Sequence, residues 1–107
     1  MIKYMSNLFL ATKVSFLNEM KLLSKEIDVD WRKAIEGFSL DERVGNSHNN
    51  VPGHDGKLGF GGSCLPKDIQ AMIFFADKKN VDMQVLKVVW MTNLKVRPEK
   101  DWELLVG

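Results

Sequence analysis

From Ile2 to Lys25 the chain carries neither glycine nor proline, and Leu, Met, Lys, Glu and Ala recur throughout. A run with no breaker and many good helix formers predicts one long helix. Met5, Phe9, Thr12, Phe16 and Met20 make one stripe at helical spacing, and Leu10, Ala11, Val14 and Leu17 make another on a different face. A helix this apolar is either an ordinary core helix or one shared with a second subunit or flanking domains. A domain of 107 residues has little room to cover both faces by itself. Asn18 and Glu19 interrupt the apolar pattern and read as hydrogen-bonding groups without assigned chemistry.

The remaining elements must pack on that rod. Asp28 or Asp30 can cap a short second helix over Trp31–Glu36, whose apolar face is Trp31, Ala34 and Ile35 and whose stop is Gly37. A third helix is expected from Pro66 to Lys79, with Ile69, Met72, Ile73 and Ala76 on one face and Asn80 at its end. Asp82 can cap a fourth, Met83–Val96, with Val85, Val88, Val89 and Thr92 on one face and Pro98 as the stop. No stretch alternates as a strand would. The expected fold is therefore mainly α, a long N-terminal helix with about three shorter helices and one long loop. The ending Trp102-Glu103-Leu104-Leu105-Val106-Gly107 reads as the start of another element, so the chain reads as a domain excised from a longer protein.

The long loop is Leu40 to Gly56, dominated by Asn, Gly, Ser, Asp and Pro. Loops of this length in compact domains are functional or disordered. This one leads into Gly59-Phe60-Gly61-Gly62-Ser63-Cys64-Leu65-Pro66-Lys67-Asp68, so a ligand-contacting role is the favoured reading. The glycines let backbone approach a ligand closely. Pro66 suits the first helical position and Asp68 the first turn, which sets Cys64 at the mouth of a helix N-terminus. The partial positive charge there favours a nucleophilic thiolate. The alternative is an inert, buried apolar cysteine. Lys3 and Asn7, four apart, share a helix face and form either a polar site or the solvated end of the helix. Arg43 could hold an anion through its planar fork of donors, or simply pair with Asp41 or Glu42.

Several classes are disfavoured. His48, His54, Asp55 and Cys64 match no common zinc spacing, so no metal is expected. Gly-x-Gly-x-x-Gly is absent, which argues against a dinucleotide phosphate turn in this chain. Fifteen basic and fourteen acidic residues, a formal net charge of +1, give no sign of a nucleic-acid partner. No apolar run is long enough to span a bilayer, and no signal peptide is expected. One cysteine excludes an intrachain disulfide framework and suits a reducing, cytoplasmic compartment.

The cysteine block, Gly59 to Asp68, resembles the active-site signature of the UDP-glucose/GDP-mannose dehydrogenase family. Lys3-Tyr4-Met5-Ser6-Asn7-Leu8-Phe9-Leu10-Ala11 is similar to its Lys-x-x-x-Asn segment, and Asp41-Glu42-Arg43-Val44-Gly45 to its Asp-x-Arg-[Ile/Val]-Gly segment. The resemblance covers nearly the whole chain and implies the family's central helical dimerisation domain, of the 6-phosphogluconate dehydrogenase C-terminal-domain-like fold. It implies residues 1–98 as the substrate and dimerisation domain, and 99–107 as a truncated linker to a C-terminal nucleotide-binding domain. It implies NAD-dependent oxidation of a nucleotide-sugar C6 alcohol to the carboxylate, in polysaccharide precursor biosynthesis. UDP-glucose is the favoured substrate, with GDP-mannose or another nucleotide sugar as the alternative. A helical dimerisation module without catalysis is the reading from a different class.

By the same resemblance Cys64 is the covalent nucleophile, Lys3 the oxyanion-stabilising cation and Asn7 the positioner of substrate or water. Asp68 assists proton transfer, and Gly59, Phe60 and Gly61 line the substrate. Arg43 reaches the substrate of the neighbouring subunit of a homodimer formed through the long helix, and Lys67 lies beside the cofactor. NAD is implied to be bound mainly by a domain absent from this chain, so the chain alone is expected to be inactive. The loop from His48 to Lys57 is longer than in the shorter family members, and no contacts are assigned between Asn46 and Leu58.

Overall fold

The long helix forms as the sequence predicts. In the computed structural model, which describes residues 1–105, α1 spans Ile2–Glu26. It is followed by α2 (Trp31–Ser39), the long loop, α3 (Cys64–Lys78), α4 (Gln84–Val96) and a 3-10 turn at Asp101–Leu105. Helices α1, α3 and α4 pack on one another, while α2 leans on α1 and is bonded by the loop, Asn49 Nδ2 donating to Ser39 Oγ at 2.9 Å. The described residues contain no strand.

The core joins Leu8, Ala11 and Val14 of α1 to Ile69 of α3, Leu86 and Val89 of α4, and Phe60 from the loop. Each fully buried side chain of the Leu or Ile type contributes about 2 kcal/mol. Of the two predicted stripes on α1, Ala11, Val14 and Leu17 are the buried one. Met5 and Phe9, each 64% exposed, and Phe16, 51% exposed, look outward. They are joined by Val85, Val88 and Met91 of α4, so an apolar face lies open along both helices.

Three boundaries differ from expectation, each for a local reason. Gly37 does not stop α2. The helix continues so that Phe38 joins Trp31, Ala34 and Ile35, beside Phe16, Leu17 and Met20 of α1. A glycine in an exposed helix costs only about 1 kcal/mol, which that contact offsets. Of the two caps expected for α2, Asp28 sits at φ 56° where α1 ends, and the Val29 N–H donates to Ser24 O at 2.9 Å. Asp30 supplies the cap, accepting from the Lys33 N–H. Asp82 does not cap α4, because Met83 takes that position with its side chain against the core. The Asp82 carboxylate instead accepts from Lys87 Nζ at 2.8 Å and from Gln84 Nε2 at 3.2 Å. The third, at the start of α3, belongs to the site. Asn80 does end α3, at φ 60°, with the Val81 N–H donating to Ala76 O at 2.9 Å.

The C-terminal turn is attached to the core side of α4. Trp102 lies with its ring 5.1 Å from that of Trp90, which in turn faces Phe60 at 6.2 Å. Val106 and Gly107 of the predicted further element lie outside the described residues.

Candidate active site

The glycine strap, residues 59–62, crosses between α1 and α4, and both helices supply buried amides to hold it. The Gly59 N–H donates to Asn18 Oδ1 at 3.0 Å. The Phe60 N–H donates to Asn93 Oδ1 at 2.7 Å, and Asn93 Nδ2 returns a bond to Phe60 O at 2.9 Å. Asn93 is fully buried, so these bonds satisfy groups that water cannot reach. The glycines are required here because the strap lies against α4. A Cβ on Gly59 would overlap Asn93 Oδ1, and one on Gly61 would overlap the Arg97 guanidinium. In this structure the close approach is thus to the protein's own helix. The same clamp turns the Phe60 ring into the core, 5% exposed.

The strap delivers Cys64 to the first position of α3, with the side chain exposed. Pro66 is third in the helix, where a missing N–H is still harmless. Asp68 consequently lies past the first turn, contrary to expectation, and has a different partner. Its Oδ2 accepts from Asn7 Nδ2 at 2.8 Å. Cys64 and Asp68 are one helical turn apart on α3, as Lys3 and Asn7 are on α1. The Asn7–Asp68 bond ties the two faces together. Lys3 and Lys67 are exposed.

Arg43 adopts the local pairing. Its Nε and Nη2 donate to Asp41 Oδ1 at 3.0 Å and Oδ2 at 2.7 Å, and its side chain is 88% exposed. The hydrogen bond from Arg43 holds the Asp41 carboxyl below its ordinary range. The backbone around Arg43 is anchored from within. Lys13, only 9% exposed, donates from Nζ to Val44 O at 2.9 Å, Gly45 O at 3.3 Å and Ser47 O at 2.7 Å. Burial pulls the Lys13 ammonium below the usual lysine range. Lys21 Nζ similarly reaches Val51 O at 3.1 Å.

The loop and the strap enclose a polar cleft of about 490 Å³, whose lining includes Ser47, His48, His54 and Asp55 on one side and Gly59, Phe60 and Gly61 on the other. Its loop wall falls in the segment to which the sequence assigned no contacts. Arg97, 1% exposed, also lines it. Burial alone would lower the Arg97 pKa, but hydrogen bonds to Asp101 and Asp55 outweigh that and raise it, so the cation is secure. Among the described residues no cluster of His, Cys, Asp and Glu could hold a metal ion, and no helix is long and apolar enough to cross a membrane.

Sequence reasoning passed over Lys13, Asn93, Arg97 and Asp101. A signal existed for Asn93, which stands four residues after Val89 and seven after Leu86, on the buried face of α4. Asn18 stands in the same relation to Val14 and Ala11. A polar residue in register with a core stripe marks a buried hydrogen-bonding site. Nothing local marks Arg97, whose carboxylate partners lie 42 residues upstream and 4 downstream.

Residues 1–95 match the family described as "UDP-glucose/GDP-mannose dehydrogenase family, central domain". Over 98 residues, 92% of its length, the chain is 42% identical to a UDP-glucose 6-dehydrogenase of Rickettsia prowazekii. It is 41% identical over 93 residues, 87% of its length, to the UDP-glucose 6-dehydrogenase of Pseudomonas aeruginosa. These alignments span only 21% and 19% of those relatives, so the chain corresponds to about a fifth of their length. Among solved structures, a UDP-glucose dehydrogenase from the hyperthermophilic archaeon Pyrobaculum islandicum superimposes with a TM-score of 0.77 at 41% identity. That match covers 88% of this chain and 21% of that one.

Proposed function

The chain belongs to the UDP-glucose/GDP-mannose dehydrogenase family, and from that premise we propose that it works as part of an NAD-dependent UDP-glucose 6-dehydrogenase in the cytoplasm, supplying a polysaccharide precursor. Residues 1–98 form its central substrate and dimerisation domain, and 99–107 lead toward further chain. The observation that carries this reading is the Asn7–Asp68 bond, which gathers a polar helix face within one turn of an exposed cysteine at a helix start.

The described residues contain no strand, and hence no strand–turn–helix phosphate site, so they do not by themselves fit NAD. NAD would be held mainly by chain outside these residues, with Lys67 beside it, and would supply hydride acceptance. The chain's own residues act on the sugar. Once C6 is at the aldehyde level, Cys64 sulfur bonds to the carbonyl carbon and the carbonyl electrons move onto oxygen. The Lys3 ammonium stabilises that oxyanion, and protonation gives a thiohemiacetal. With the cofactor available to take up the C6 hydride, this adduct would give the Cys64 thioester once its hydroxyl proton is also lost. Water, oriented by Asn7 and relieved of a proton by Asp68, adds to it; the C–S bond breaks, the Cys64 thiolate departs, and the uronate is released. Gly59, Phe60 and Gly61 line the sugar nucleotide in the cleft. Arg43 leaves Asp41 to reach the substrate bound by the partner subunit. The open apolar face of Met5, Phe9 and Phe16 with Val85 and Val88 supports a homodimer through the long helix.

The test is made on the full-length protein. Turnover of UDP-glucose should exceed that of GDP-mannose, and Cys64→Ala should lower uronate formation by about a thousandfold or more. Unchanged turnover in that variant refutes the mechanism. The chain of residues 1–107 alone should yield no NADH.

A further inference from the structure

Arg97 makes more bonds to the strap and its flanks than the site's mechanism uses. Its Nη1 donates to Leu58 O at 3.2 Å and lies 3.5 Å from Gly59 O. Its Nε and Nη2 donate to Asp101 Oδ1 at 2.8 Å and Oδ2 at 2.9 Å, and Nη2 also donates to Asp55 of the long loop. Asp101 in turn accepts from the Gly62 N–H at 3.4 Å through the oxygen that holds Nη2. The guanidinium therefore touches the strap at its beginning, fills the space left by the missing Cβ of Gly61, and reaches its end through Asp101.

We propose that Arg97 and Asp101 form a positioning pair for Cys64, an assignment that rests on the catalytic reading above. Asn18 and Asn93 fix Gly59 and Phe60. Beyond Phe60 the strap has no amide clamp of that kind. Ser63, which precedes Cys64, makes no side-chain cap bond to α3. Among the described residues the remaining polar tether is the Gly62 N–H to Asp101, with the guanidinium packed under Gly61. That short stretch sets the direction in which the exposed thiol projects from the start of α3. Only a planar fork can bond backbone carbonyls and two carboxylates at once, so lysine cannot replace Arg97. Asp101 belongs to the turn after α4, so that turn is coupled to the strap that carries Cys64 both directly, at the Gly62 N–H, and through the buried Arg97 guanidinium.

The experiment compares wild-type full-length enzyme with Asp101→Asn, Arg97→Lys and Gly61→Ala. Asp82→Asn, at a surface carboxylate 58% exposed, is the control. Each is measured for kcat and KM on UDP-glucose, for the pH profile of Cys64 alkylation by iodoacetamide, and for its melting curve. The three strap variants should stay folded and lose about 10-fold to 100-fold in kcat, with smaller changes in KM. Their alkylation profiles should be displaced, while Asp82→Asn matches wild type in every measurement. Folded variants with wild-type kcat and alkylation overturn the pair. So does outright unfolding of Asp101→Asn, which would make the pair a support of the fold alone. Turnover indifferent to Cys64→Ala refutes the catalytic reading instead, whereas turnover that needs Cys64 but ignores Asp101 refutes only the pair.

Discussion

Arg43 and Arg97 each grip an aspartate, from opposite extremes of solvent access. Arg43 is 88% exposed and pairs with Asp41 on its own turn, whereas Arg97 is 1% exposed and gathers Asp55 and Asp101 from both sides of the strap. An exposed pair is worth about 0–1 kcal/mol, because water and salt screen it. Arg43 can therefore exchange Asp41 for another anion at little cost. Breaking a buried pair leaves an uncompensated charge, so the Arg97 side chain is committed where it stands. The same two residue types thus serve once as a movable hand and once as a rivet.

The sharpest way to break this contrast is to remove the rivet. Arg97→Ala should cost about 3 kcal/mol or more in urea unfolding, since Asp55, Asp101 and the Leu58 and Gly59 carbonyls lose their donor together. A loss under about 1 kcal/mol would place Arg97 with the surface pairs. A milder attack is acid. Hydrogen bonds from Arg97 hold both the Asp101 and Asp55 carboxyls below their ordinary value of 3.8. Depressed carboxylates stabilise the folded form above that value and lose the effect as pH falls through their folded pKa values. The melting temperature should therefore fall below about pH 4, and Asp101→Asn should flatten the fall. The smallest effect on stability belongs to Arg43→Ala, whose urea unfolding midpoint should match that of wild type. Its turnover in the full-length protein should nonetheless drop; a variant with lost stability and intact turnover would reverse the roles of the two arginines.

How much of this was legible follows from the range of the forces involved. The helices were, because breakers and apolar periodicity are local: Ala11, Val14 and Leu17 declared their face, and Ile69 and Ala76 theirs. Boundaries failed where a packing contact outweighed a local signal, as when Phe38 carried α2 through Gly37. The Asn7–Asp68 contact spans 61 residues, and only the family resemblance brought those blocks together. The strap was read as glycine-rich for a ligand's sake, while Gly59 and Gly61 are glycines because Asn93 and Arg97 occupy the space beside them. Spacing along a chain cannot report such steric reasons when the neighbour is more than 30 residues away.

Lys13 has a consequence of its own. Backbone carbonyls of Val44, Gly45 and Ser47 converge on its ammonium, an arrangement that elsewhere solicits a dissolved cation. Here the cation is covalently tethered to α1 and cannot be diluted, exchanged or chelated. The shape of the segment that carries Arg43 is thereby made independent of ionic composition and is inherited directly from the longest helix.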